Sequence, residues 1–205
     1  MKSRLHGLYA ITDSTLLADE QLLAAVEQAI NGGARIIQYR DKSSDQLRRH
    51  RQAEALLKLC RQHQATLIIN DDVALAAAIG ADGVHLGKED GDIAQARQHL
   101  GDGIIGVSCY NQWPLAEAAA AAGADYIAFG AFFPSTTKPN AVRAAPELLE
   151  RSRRELAVPV VAIGGITPEN GRDLVEAGAD MLAVVQGVFA QPDITAAARR
   201  YNALF

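Results

Sequence analysis

Eight short apolar runs alternate with eight helix-forming segments along the chain, and no two runs are joined by a hairpin signal. The runs begin at Leu8, Ala34, Leu67, Gly83, Ile104, Tyr126, Val160 and Met181, and most are apolar almost without interruption. A strand whose every residue is apolar must be covered on both faces. That is the situation of a parallel sheet with crossover helices. Eight such units predict a closed (β/α)8 barrel, and 205 residues are enough to form it as one domain spanning residues 1–205. An open doubly wound sheet would require a Gly-x-Gly-x-x-Gly turn after the first strand, where this chain has Thr12-Asp13-Ser14. An internal echo favours the barrel. Gly33-Ala34, Gly80-Ala81-Asp82, Gly123-Ala124-Asp125 and Gly178-Ala179-Asp180 each end a helix just before an even-numbered strand, at spacings of 47, 43 and 55 residues.

In a barrel the chemistry gathers at the C-terminal strand ends and the loops that follow. Two of those ends break abruptly into carboxylates. Leu67-Ile68-Ile69-Asn70-Asp71-Asp72 and Gly83-Val84-His85-Leu86-Gly87-Lys88-Glu89-Asp90 flank the alanine-rich helical segment Val73 to Ile79, which Gly80 stops. A right-handed βαβ crossover puts both tips on one side, so Asp71 and Asp90 can converge. Two carboxylates about 4 Å apart repel by roughly 4 kcal/mol at an effective dielectric near 20. A divalent cation reverses that sign, and Mg²⁺ suits the pattern because it takes one or two carboxylates and fills its shell with water and phosphate.

The other strand ends contribute Gln38, Arg40, Lys42, Ser108, the segment Ser135 to Lys138, Gly164, Gly165, Val185 and Gln186. Loops after strands 7 and 8 are the recurrent phosphate cradle of barrels, and Gly164-Gly165 leaves the backbone bare of side chains there. Arg40, Lys42 and Lys138 opposite the acidic pair suggest a polyphosphate larger than a monophosphate. The segment from Ala131 to Arg143 is long for a βα loop and is expected to act as a lid. His85 lies within a strand and reads as a wall residue. No Ser–His–Asp or Cys–His arrangement is visible. Cys60 and Cys109 fit no metal-ligand spacing and are expected to be reduced structural thiols.

A formal charge of −4 gives no reason to expect nucleic acid or an anionic membrane as partner. No apolar run reaches the ~20 residues of a membrane span, and the N-terminus carries no signal-like region, so a cytoplasmic protein acting on small molecules is expected. The helices show no excess apolar stripe, which leaves a homo-oligomer open.

The ordered motifs Leu8-Tyr9-Ala10-Ile11-Thr12-Asp13, Gln38-Tyr39-Arg40-Asp41-Lys42, Ile69-Asn70-Asp71-Asp72, Gly83-Val84-His85-Leu86-Gly87 with Asp90, Gly106-Val107-Ser108, Thr137-Lys138 and Ala162-Ile163-Gly164-Gly165-Ile166 together resemble the thiamine-phosphate synthase family almost end to end. The resemblance implies a transferase that joins 4-amino-2-methyl-5-(diphosphooxymethyl)pyrimidine to a (carboxy)thiazole ethyl phosphate and releases diphosphate. It assigns Asp71 and Asp90 to Mg²⁺. Gln38, Tyr39, Arg40, Asp41, Lys42, Asn70, Ser108 and Lys138 would hold the pyrimidine diphosphate, with Arg40, Lys42, Asn70, Ser108 and Lys138 the catalytic set. Ser135, Thr136, Thr137, Gly165, Val185 and Gln186 would hold the thiazole phosphate. Two positions depart from the family pattern: Ser135 stands where many relatives have Thr, and Gln186 replaces a small Ser. A thiazole tautomerase paralogue or a non-catalytic thiazole-phosphate binder would share the fold and the phosphate cradle, but neither needs the diphosphate side.

Overall fold

Aspartates of the repeated Gly-Ala-Asp segments set the starts of the strands. Asp82 accepts the Leu67 backbone N–H at 2.8 Å, Asp125 that of Ile105 at 2.9 Å, and Asp180 that of Val160 at 2.8 Å. Each ties the first residues of an odd-numbered strand to the chain entering the next even one. At the Gly33-Ala34 repeat, Arg35 stands in place of the aspartate and donates its own backbone N–H to Leu8 O at 3.2 Å.

The computed structural model describes residues 5–87, 92–134 and 142–205. Strands β1 (Gly7–Ile11), β2 (Ile36–Tyr39), β3 (Thr66–Asn70), β4 (Gly83–Leu86), β5 (Ile104–Tyr110), β6 (Tyr126–Gly130), β7 (Val160–Ile163) and β8 (Met181–Val184) pair in parallel in sequence order. β8 returns to β1, with Leu182 opposite Leu8, and closes the barrel. Around it lie α1 (Leu22–Asn31), α2 (Gln46–Gln62), α3 (Val73–Ile79), α4 (Ile93–Leu100), α5 (Trp113–Ala121), α6 (Glu147–Glu155), α7 (Pro168–Ala177), α8 (Gln186–Phe189) and α9 (Ile194–Asn202). The (β/α)8 expectation holds, and α8 is an addition to it. Its four residues are too few for a 3.6-residue apolar rhythm to be visible in sequence.

The uninterrupted apolar runs sort by alternation into two cores. Leu8, Ile37, Leu67, Ile69, Val84, Ile127 and Leu182 face the helices, whereas Tyr9, Ile36, Ile68, Tyr126, Val161 and Met181 fill the barrel interior. Helix starts are set by side-chain caps: Asp45 accepts from Arg48 N, Asp72 from Leu75 N and Asp193 from Ala196 N, while Thr167 and Asn170 cap α7 reciprocally.

Because Asp180 accepts the buried Val160 N–H at the barrel end opposite the strand tips, Asp180→Ala is expected to cost about 1–3 kcal/mol of stability. Turnover should stay unchanged. Thermal unfolding beside steady-state kinetics checks both halves, and an equal fall in turnover would show that the two barrel ends are coupled.

Candidate active site

Chain parity decides which residues of a strand tip reach the interior. In β2, Gln38 points inward and donates from Nε2 to the Tyr9 hydroxyl at 2.7 Å. Its neighbour Tyr39 points to the helices and donates to Gln52 of α2 at 2.7 Å. Tyr39, a substrate residue by resemblance, therefore belongs to the barrel–helix layer and is absent from the walls of the central cavity.

Asp41 is also held elsewhere. Its carboxylate, 1% exposed, accepts Arg48 Nη2 at 2.7 Å and the Ser43 backbone N–H at 2.8 Å, and Arg48 also reaches Ser43 Oγ at 2.8 Å. Asp41 thus latches the turn that carries Lys42. Burial opposes its ionisation, but the Ser43 N–H and Arg48 outweigh that and hold its pKa below the ordinary carboxylate value. A native pKa below the unfolded one contributes stability at neutral pH that is lost as pH falls through the lowered value. Asp41→Asn should accordingly destabilise the protein at pH 7 by about 1–3 kcal/mol. Denaturant titrations should show the gap from the parent narrowing on acidification, whereas a constant gap would exclude the ionic latch.

At the end of β3, Asp71 adopts a left-handed φ of +63° and donates its backbone N–H to His85 O at 2.8 Å. Its Oδ2 accepts Asn70 Nδ2 at 2.6 Å and is ion-paired with Lys42. Oδ1 takes no hydrogen bond from any described residue. A carboxylate presenting one committed and one uncommitted oxygen at a strand tip fits a hard, oxygen-seeking cation. Asp90, the other expected ligand, lies outside the described residues, as do Ser135, Thr136, Thr137 and Lys138. Among the described residues no group of three or more metal-ligating side chains comes together.

Arg40 stands beside Asp13, with Nη1 at 3.7 Å from Oδ2, and its backbone N–H is held by Thr12 Oγ1 at 3.0 Å. Across the barrel, Ser108 Oγ lies 2.8 Å from His85 Nε2. Gly164 and Gly165 follow β7 at φ +101° and +63°, and a side chain at either would collide with the loop after β6. That loop is tied down at its base, where Ala131 N donates to Val142 O at 3.1 Å and Arg143 Nη1 to Phe132 O at 2.9 Å. Val185 accepts the Val188 and Phe189 N–H groups that open α8.

These ends enclose a cavity of about 1060 Å³. Gln38, Arg40, Lys42, Asn70, Asp71 and Ser108 line it from β2, β3 and β5 and the turns after them, and Gly164, Gly165, Val185 and Gln186 from the chain after β7 and β8. Lys42, Asn70 and Asp71 also border a hollow of about 510 Å³ on the outer side, which Asp41 and Arg49 line. Sequence reasoning missed Tyr9 and Tyr126. Both are buried inside the barrel, and burial pushes both phenol pKa values well above the ordinary range. The signal was a tyrosine at an inward-facing position of a core strand, where its hydroxyl must find a partner.

A family model described as thiamine monophosphate synthase matches residues 8–188. The chain is 54% identical to the thiamine-phosphate synthase of Nitrosococcus oceani, over 100% of this chain and 95% of the relative. It is 54% identical to that of Thioalkalivibrio sulfidiphilus, over 98% and 96%. Among solved structures, a thiamine phosphate pyrophosphorylase from Pyrococcus furiosus superimposes with a TM-score of 0.88 at 33% identity, covering 98% of this chain and 96% of the other. With a match of this length to the family model, to relatives and to a solved fold, the chain belongs to the thiamine monophosphate synthase family.

Proposed function

We propose that this enzyme makes thiamine phosphate by ionising the pyrimidine diphosphate in the Gln38–Ser108 part of the cavity and trapping the cation with a thiazole phosphate seated against Gly165 and α8. The observation that carries this reading is that one cavity is lined by both kinds of group: Arg40, Lys42 and the Asp71 carboxylate from the ends of β2 and β3, and the side-chain-free Gly164-Gly165 turn after β7 with Val185 and Gln186 after β8. Asp71 and Asp90 would hold Mg²⁺, which when bound offsets the negative charge of the leaving diphosphate. Arg40 and Lys42 stabilise the same charge, joined by Lys138 from the loop after β6. Asn70 orients the Asp71 carboxylate through its 2.6 Å hydrogen bond.

The reaction breaks the bond from the methylene carbon to the diphosphate oxygen, and the electron pair leaves with the diphosphate. The electron-rich aminopyrimidine spreads the positive charge until the thiazole nitrogen supplies the pair for the new C–N bond. No protein nucleophile is needed. Consistently, burial pushes the Cys60 and Cys109 thiols up to about 12, far from the thiolate form that would attack carbon. Charge stabilisation and positioning supply the rate.

The presence of Asn70, Asp71, Arg40 and Lys42 together on the cavity lining favours this reading over a thiazole tautomerase or a thiazole-phosphate carrier, neither of which must bind a diphosphate. The test is an assay of the two substrates with and without Mg²⁺, following thiamine phosphate and diphosphate together. Equimolar, metal-dependent release of both is the expected result. Aromatisation of a carboxythiazole phosphate with no diphosphate released would favour the tautomerase.

A further inference from the structure

Five side chains join into an unbroken hydrogen-bonded row across the cavity floor. Gln38 Nε2 donates to the Tyr9 hydroxyl at 2.7 Å, and the Tyr9 and Tyr126 hydroxyls are 2.8 Å apart. Tyr126 lies 3.0 Å from His85 Nδ1, and His85 Nε2 lies 2.8 Å from Ser108 Oγ. The rings are packed as well as bonded: Tyr9 meets Tyr126 edge-on at 6.0 Å between centroids, and His85 stacks on Tyr126 at 5.6 Å. Gly106 makes the room, since a Cβ there would fall 1.9 Å from Tyr126 Cζ.

We propose that this row is a one-way chain of donors that holds His85 in its Nε2–H form and fixes opposite polarities at its two ends, with Gln38 presenting an acceptor and Ser108 a donor to the substrate. Counting hydrogens gives the direction. Burial keeps both phenols protonated, so each brings one hydrogen. The Tyr9 oxygen already receives Gln38 Nε2, so its own hydrogen must go to Tyr126, because a buried donor left unpaired is costly. Tyr126, receiving that hydrogen, must give its own to His85 Nδ1. A ring nitrogen that accepts at Nδ1 in neutral imidazole carries its proton on Nε2, which is then donated to Ser108 Oγ. The hydroxyl hydrogen of Ser108 is left for a ligand, and at the other end Gln38 Oε1 is left as an acceptor. Both residues line the cavity.

This polarity matches a 4-aminopyrimidine, whose exocyclic N–H₂ donates and whose adjacent ring nitrogen accepts. That last step rests on the placement of the pyrimidine proposed above. Tyr9, Tyr126 and His85 are then positioning residues that act through Gln38 and Ser108. A 4-oxo analogue of the pyrimidine diphosphate reverses donor and acceptor and should be rejected.

The test begins with the ligand-free protein. Long-range ¹H–¹⁵N spectra, with the His85 signal identified by its loss in His85→Asn, should show Nε2 protonated and Nδ1 bare. The opposite tautomer would overturn the proposal without reference to any substrate. Tyr126→Phe and Tyr9→Phe each interrupt the row while keeping the ring. Both should populate the second tautomer, raise KM for the pyrimidine diphosphate about tenfold, leave KM for the thiazole phosphate unchanged and narrow the discrimination against the 4-oxo analogue. A His85 that keeps one tautomer in both variants would overturn the chain. A tautomer that is released while KM and discrimination stand would instead overturn the placement of the pyrimidine on this floor.

Discussion

Asp71→Asn is expected to lower kcat/KM for the pyrimidine diphosphate by roughly 10²–10³-fold, the scale of losing one well-placed charge-stabilising group, while leaving folding stability within about 1 kcal/mol. Asparagine is the informative replacement because Asn, like Asp, tolerates the left-handed φ of +63° at this position. It also retains an oxygen that Asn70 and Lys42 can approach, so the loss reports charge rather than shape. Without the carboxylate, Lys42 loses its partner and the wall loses the negative charge that would attract a divalent cation. The apparent Mg²⁺ requirement should rise together with the loss of rate. Asp72→Asn is the matched control. Asp72 caps α3 through Leu75 N at 2.9 Å and pairs with Arg49 at 2.7 Å. Its replacement should cost stability and leave the metal dependence alone. Unchanged turnover and unchanged Mg²⁺ titration in Asp71→Asn would reject the metal assignment.

Gly165→Ala is expected to raise KM for the thiazole phosphate by about 10²-fold or more, equivalent to about 3 kcal/mol. Two costs combine. The residue sits at φ +63°, where an alanine pays about 1–2 kcal/mol. Its Cβ would also lie 2.3 Å from Pro134 O and 2.8 Å from Phe133 C. Both obstacles are backbone, so neither yields by a rotamer change, and the loop after β6 must move away from the cavity wall. Gly101→Ala separates the two contributions. Gly101 has φ +55° and nothing within 4 Å of a built Cβ, so its alanine variant pays the backbone cost alone. That variant should be modestly less stable with an unchanged KM. If Gly165→Ala behaves no differently from Gly101→Ala, the cradle does not hold the phosphate.

Much of the site was legible because barrel chemistry is confined to strand ends, and strand ends are marked in sequence by the change from apolar to polar residues. Gln38, Arg40, Lys42, Asn70, Asp71, Ser108, Gly165, Val185 and Gln186 were all named on that basis, and all line one cavity. Tyr39 and Asp41 were carried along as parts of one contiguous motif. A motif is continuous in sequence, but its side chains are dealt alternately to two faces, and Arg48 sits seven residues on to take Asp41 out of the cavity wall. The Gly-Ala-Asp echo was visible as a spacing. Its purpose was not, because the N–H that each aspartate receives lies 15 to 20 residues earlier in the chain.

The alternation of apolar runs and helical segments was sufficient to determine the order of elements, their parallel pairing and the end of the barrel that carries the chemistry. These follow from local preference and from the need to cover both faces of every strand. Which polar groups meet inside was decided only by closure. Tyr9 and Tyr126 are 117 residues apart, and their contact depends on strand registers fixed in turn around the ring until β8 returns to β1. A slip of one residue in any strand would turn its inward side chains outward. The hydrogen-bonded floor from Gln38 to Ser108 is therefore a property of the closed barrel and of no single segment of it.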